Sequence, residues 1–209
     1  MPGPQELLLI RHGQSTANAS GVWQGQLEFP LSEEGRRQSH LAGRALATET
    51  FDGVYSSPLS RAFLTAEIIA HEAGFPGEVV AVEGLMERQG GLLEGTTWQE
   101  REARYPELMK KFLSLPEEER WVVVGAETDE EVLARFERAI FGIRARHASG
   151  ARIVVVSHGG AMRAFLRDRF GQEILPGDQR APNASITRVE WGADGRPGLP
   201  ELASVGHLL

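Results

Sequence analysis

Two histidines in this chain sit at matching points of two similar runs. Leu9-Ile10-Arg11-His12-Gly13-Gln14-Ser15 lies near the start and Val154-Val155-Val156-Ser157-His158-Gly159-Gly160 near the end. Each passes from apolar, β-type residues into a histidine followed by glycine. If the two runs are neighbouring strands, both imidazoles leave the sheet at one edge. Arg11 makes that edge cationic, which suits a phosphoryl group. A neutral imidazole attacks well near neutral pH, and phosphohistidine is labile enough to turn over. Arg11 and Arg61 offer planar forks for phosphoryl oxygens, and their charge disfavours protonation of His12. His158, protonated against the phosphate, would stabilise the equatorial oxygens. The leaving oxygen needs a proton, and Glu87 is the candidate acid and later base. An ordinary glutamate is ionised at pH 7. The role therefore needs a pKa raised by burial, or a proton that arrives with the substrate.

The elements around these residues read as alternating strands and helices. Leu7 to Ile10 is a buried strand and Gly13 to Pro30 a long loop. Ser32 caps a helix whose apolar positions Leu41, Ala45 and Leu46 recur at helical spacing. Gly53 to Ser56, Glu78 to Val82 and Arg152 to Val156 are further strands. Helices are expected from Ser57-Pro58 to Ile69, from Thr128 to His147 behind a Thr128/Glu131 capping box, and from Ala161 to Phe170. Trp98 to Leu115 reads as one or two short helices broken at Pro106 and Pro116. Ser185 to Trp191 alternates as a strand, with another at Glu201 to Val205. This order predicts an α/β fold of three layers, with a mainly parallel, doubly wound sheet. In such sheets ligands bind beyond the carboxyl ends of the strands. Arg11, His12, Ser57, Arg61, Glu83 to Arg88 and His158 all fall there. The chain reads as one domain over 1–209, with a cap-like helical insertion at about 96–127.

Composition narrows the choices. With 209 residues and 41% hydrophobic content, the chain can bury a core without staples. It has no cysteine, which excludes disulfides, thiolate nucleophiles and cysteine-based zinc sites. The net charge of −7 argues against a nucleic-acid partner. No apolar run is long enough for a membrane span, and the first residues do not read as a signal peptide. A cytoplasmic location fits these features. No metal or other cofactor is implied, since neither the local acids nor the histidine spacing supports a metal site. The oligomeric state is open, a homodimer included.

The motifs resemble the histidine phosphatase superfamily, which includes the cofactor-dependent phosphoglycerate mutases. Arg11 through Asn18 resembles its Arg-His-Gly signature, and Ser56 through Ala66 its second block. Leu85-Met86-Glu87-Arg88 through Gly95 resembles the acid-bearing loop, and Ser157-His158-Gly159-Gly160 the late histidine block. Four blocks in family order are specific where each alone would be weak. The resemblance implies that His12 is the phosphorylated residue. It also implies that Arg11, Arg61 and His158 complete the phosphate pocket and that Glu87 is the proton donor. Asn18, Gln24 and Gly25 match further phosphate- or substrate-contacting positions, and Asn183-Ala184-Ser185 a late structural element.

Blander readings stand beside these. Ser15 and Thr16 are as readily local caps as phosphate donors. His40, His71, His147 and His207 read as surface residues, and Lys110-Lys111 as a solvated helix face. Trp23, Trp98 and Trp121 read as packing residues that could also wall a pocket. Within the family the compact length and the acidic stretches at Glu117-Glu118-Glu119 and Glu127 to Glu131 favour a phosphatase of small phosphorylated metabolites. A phosphoglycerate mutase is the alternative, and a non-catalytic phospholigand scaffold a third.

Overall fold

In the computed structural model, residues 3–177, 179–192 and 194–209 are described. The sheet has six strands: β1 (Gln5–Arg11), β2 (Gly53–Ser56), β3 (Val79–Ala81), β4 (Arg152–Ser157), β5 (Ile186–Trp191) and β6 (Pro197–Ser204). Their order is β3-β2-β4-β1-β5-β6. The first four run parallel, and β5 and β6 add antiparallel beyond β1. The predicted adjacency of the two histidine-bearing strands holds: Arg11 pairs with Ser157 at the end of the β1–β4 ladder.

The pleat sorts the apolar residues onto two faces. Leu7, Leu9, Ile153 and Val155 face one layer, formed by α7 (Asp129–Arg144) and α8 (Gly159–Phe170). There Phe136 and Phe165 meet with ring centroids 5.4 Å apart. Leu8, Ile10, Val154 and Val156 face the other layer, formed by α2 (Glu33–Ala45) and α3 (Ser60–Glu72). The near-continuous apolar character of β1 and β4 follows from burial on both faces.

Ser32 and Thr128 cap α2 and α7 as expected, the latter with its capping box complete. The buried face of α2 differs from the sequence reading. Leu41 is half-buried and Ala45 exposed, while Ser39, Ala42, Gly43 and Leu46 turn inward. The helix is rotated because small residues let it approach α3. A Cβ on Gly43 would lie 2.6 Å from Cβ of Glu72. The long loop also contains a one-turn helix, α1 (Thr16–Ala19), and Ser15 is its N-cap.

Helices α4 (Trp98–Arg104), α5 (Pro106–Ser114) and α6 (Glu117–Val123) break at Pro106 and Pro116. They enclose an apolar cluster of their own, with Met109, Phe112, Trp121 and Val124 at its centre. No helix among the described residues is long and apolar enough to cross a membrane.

Candidate active site

The first loop after β1 and the first turn of α8 leave the sheet side by side. The His12 amide donates to the Ser157 carbonyl at 2.9 Å, and the imidazoles of His12 and His158 lie 5.0 Å apart, inclined at 56°. His12 Nδ1 lies 2.7 Å from its neighbour's carbonyl, Gly13 O. Since a carbonyl only accepts, Nδ1 carries the proton and Nε2 carries the lone pair. Burial, reinforced by His158, Arg11 and Arg61, holds His12 well below the ordinary imidazole pKa. The ring is neutral and nucleophilic.

Arg61 stands in the first turn of α3 and is almost fully buried. Its two terminal nitrogens donate to Leu27 O at 2.8 Å and Gly25 O at 2.7 Å. Arg11 donates through Nη1 to Ala181 O at 2.7 Å. Each guanidinium is thus anchored by its tips. Among the described residues Nε of each is buried without a hydrogen-bond partner, as is Nδ1 of His158. Burial lowers Arg11 to about 10 against the opposing charge of Glu87, so it stays cationic at neutral pH.

His158 is neutral as well. Burial, with the Arg61 and Arg11 charges, keeps it well below the usual value. The expected protonated partner is therefore not its resting state. Any proton it carries in a complex accompanies the bound anion. His158 is fully buried and does not line the cavity.

Glu87 departs most from the sequence reading. Burial raises its pKa, but the Gly160 and Arg88 amides and the Arg180 and Arg61 charges outweigh it, and the net shift is downward. Its oxygens accept from Gly160 N at 2.9 Å, Ala161 N at 2.9 Å and Arg88 N at 2.8 Å. The carboxylate therefore sits on the N-terminus of α8, where the helix dipole favours negative charge. A Cβ on Gly160 would fall 2.5 Å from Glu87 Oε1, so the approach needs glycine. The net shift runs against a pKa raised by burial.

These groups surround a cavity of about 190 Å³, lined among others by Arg11, His12, Arg61, Glu87, Trp23 and Arg180. Asn18, Gln24 and Gly25 line it too. Ser15 does not. Its hydroxyl meets Gln24 Oε1 at 2.7 Å and accepts from Asn18 N at 3.0 Å, so it braces its neighbours. Gly25 adopts φ +53°, and a Cβ there would lie 1.9 Å from Glu94 Oε1. Asn183 Nδ2 donates to His12 O at 2.9 Å, and Ala184 N to Arg11 O at 3.0 Å, bearing out the structural reading of that element.

Trp23 alone of the three tryptophans lines the cavity. Trp121 is buried in the α4–α6 cluster, 5.9 Å from the Trp23 ring. His40 and His71 are exposed as expected. His147 and His207 are half-buried, bonded to Tyr55 Oη at 2.9 Å and Ala184 O at 3.0 Å. Among the described residues no histidine, aspartate and glutamate cluster suits a metal.

Sequence reasoning missed Arg180. It lines the cavity, lies over the Trp23 ring at 5.3 Å and pulls Glu87 down. The only available signal was its position, three residues before the Asn183 element.

The chain matches the histidine phosphatase superfamily (branch 1) over residues 7–199. It belongs to that family. It is 36% identical to the metal-independent phosphoserine phosphatase of Arabidopsis thaliana, over 97% of this chain and 85% of that protein. It is 35% identical to phosphoserine phosphatase 1 of Hydrogenobacter thermophilus, over 81% of this chain and 78% of that protein. A mycobacterial glucosyl-3-phosphoglycerate phosphatase superposes with a TM-score of 0.82 at 27% identity, covering 96% of this chain and 99% of the other. The histidine phosphatase fold therefore extends over nearly the whole chain.

Proposed function

We propose that the chain hydrolyses small phosphomonoesters by passing the phosphoryl group to His12 Nε2 and then to water. Family membership and phosphatase relatives along most of its length make it a phosphatase of small phosphorylated metabolites. One observation carries the mechanism. A neutral buried imidazole with its Nε2 lone pair uncommitted lines one cavity with Arg11 and Arg61, whose buried Nε groups have no hydrogen-bond partner among the described residues. Such groups cost free energy unless an anion satisfies them.

In the first step His12 Nε2 bonds to phosphorus and the ester P–O bond breaks. The leaving oxygen takes the proton that entered with the substrate monoanion, relayed by Glu87. In the second step water attacks phosphorus as the P–N bond breaks. Glu87 accepts the water proton and returns it to the departing phosphate, and His12 regains its lone pair. Arg11 and Arg61 hold the transferring oxygens throughout, which is most of what phosphoryl transfer asks of a protein. A bound dianion favours the imidazolium of His158 and would give it the electrostatic role.

Residues 96–127 serve as the cap in this reading. Trp23 joins their apolar cluster to the cavity wall. Lys110, Lys111 and Arg120 do not line the cavity, which favours hydrolysis over a mutase that must hold two charged ends. The names of the relatives make O-phosphoserine the first substrate to test. We place the activity in the cytoplasm, on a freely diffusing substrate, without a metal or nucleic-acid partner.

The test compares phosphate release from O-phosphoserine and p-nitrophenyl phosphate with isomerisation of 3-phosphoglycerate primed by 2,3-bisphosphoglycerate. Release together with an acid-labile label on His12 is expected. Efficient isomerisation with little release would overturn hydrolysis. No turnover of any phosphomonoester, with no label, would leave a binding scaffold.

A further inference from the structure

Ser57 follows β2 at the same sheet edge and is fully buried. Its hydroxyl has two neighbours. It accepts from Leu59 N at 3.3 Å and lies 2.8 Å from His158 Nε2. His158 Nδ1, on the other side of the ring, is buried without a partner among the described residues.

These contacts decide where the protons sit. If Nε2 carried the proton, Ser57 would accept twice and its own O–H would be left without an acceptor. His158 Nδ1 would then be a second buried group without a partner. If Ser57 donates instead, its proton is satisfied, Nε2 accepts, and the one unpaired group is an N–H at Nδ1. Buried polar groups are seldom left unpaired, so the second arrangement is favoured.

We propose that Ser57 is a positioning residue that donates its hydroxyl proton to Nε2 and so fixes His158 in the tautomer whose Nδ1–H serves the phosphoryl group. The proposal rests on the phosphohistidine reading of the site. It gives the two imidazoles complementary tasks. In His12 the N–H is tied to Gly13 O and the lone pair is free. In His158 the lone pair is tied to Ser57 and the N–H is free. One ring presents a nucleophile and the other a donor, though both are neutral and protonated on the same nitrogen.

Nitrogen-15 NMR of histidine-labelled protein reads the tautomer directly, with His158→Gln assigning the resonance. The wild type is expected to show Nδ1 protonated and Nε2 bare, with Nδ1–H shifting when inorganic phosphate is added. Ser57→Ala is expected to mix the tautomers and to lower kcat roughly ten- to hundredfold with KM changed by less than about threefold. Ser57→Thr, which restores the hydroxyl, is expected to recover most of kcat. A wild-type Nε2–H tautomer, or an unchanged tautomer in Ser57→Ala, would overturn the proposal. So would equal losses for the Ala and Thr variants. Should Ser57→Ala not fold, the wild-type spectrum still decides. If the wild type turns over no phosphomonoester, the phosphatase reading fails, while the spectrum separately tests the tautomer.

Discussion

Glu87 Oε2 lies 2.9 Å from the amide of Gly160, the residue two places beyond His158. The proton-handling residue of the proposed mechanism is thus fastened to the helix that follows the second histidine. The N–H groups that open α8 fix its position and, with the Arg88 amide and the Arg180 and Arg61 charges, lower its pKa.

Glu87→Gln should therefore have two separable effects. Loss of the charge at the helix N-terminus should cost about 1 kcal/mol of stability in urea unfolding. Turnover should fall far more for an alkyl phosphate than for p-nitrophenyl phosphate, whose leaving group needs no proton. Equal slowing of both substrates would show that Glu87 handles no proton.

His12→Ala should remove the phosphoenzyme and lower kcat by about 10⁴-fold or more, as expected for loss of a covalent nucleophile. Rapid-quench labelling with ³²P-substrate checks both. An acid-labile label on the variant would move the nucleophile elsewhere.

The pH profile follows from the direction of the imidazole shifts. His12 is held well below its ordinary value, so it loses its lone pair to protonation only far below about pH 6.5. The acid limb of kcat/KM, corrected for ionisation of the substrate, should lie clearly below pH 6.5. Stability has a matching sign. His12 and His158 are both lowered in the fold, so the unfolded chain binds more protons once pH falls below about 6.5. Their contribution is intact above that value and erodes as pH drops toward the folded pKa values. Chemical denaturation at a series of pH values, for wild type and His158→Gln, should give the shallower acid loss in the variant.

Gly25→Ala tests the support of Arg61. The new methyl requires φ +53° in a non-glycine residue and collides with Glu94. Glu94 Oε1 is held by Gln26 N at 2.9 Å and Gly90 N at 2.7 Å, so it has little room to yield. The Gly25 carbonyl should shift away from Arg61. Stability should fall by about 1–3 kcal/mol, and KM for phosphomonoesters should rise. A variant with wild-type KM would show that the loop adapts without moving Arg61.

Arg180→Ala should raise KM for anionic substrates while leaving the acid-labile label on His12 detectable. Steady-state kinetics with O-phosphoserine checks it, and an unchanged KM would remove Arg180 from substrate binding.

The sheet was legible because β1 and β4 are buried on both faces and carry continuous apolar runs. The histidines were legible because each ends such a run. The inner face of α2 was not, since small residues rather than large ones define it: Gly43 and Ser39 set the approach to α3, and a hydrophobic pattern is blind to them. Nor was the ionisation of Glu87. Burial and hydrogen bonding push a carboxyl in opposite directions, and the Gly160 amide and the Arg180 and Arg61 charges that help decide the balance belong to segments remote in sequence. Arg180 was missed because an arginine in an irregular loop carries no pattern.

The pairing of β1 with β4 has a consequence in time as well as in space. Glu6 and Arg152, ion-paired across that ladder, are 146 residues apart, and Arg11 meets Ser157 in the same register. About seven tenths of the chain must be looped out before His12 meets His158. Such non-local pairing makes for slow folding and leaves little room for a half-built site. Recovery of phosphate binding during refolding should therefore track the final, cooperative phase and not any early formation of helix.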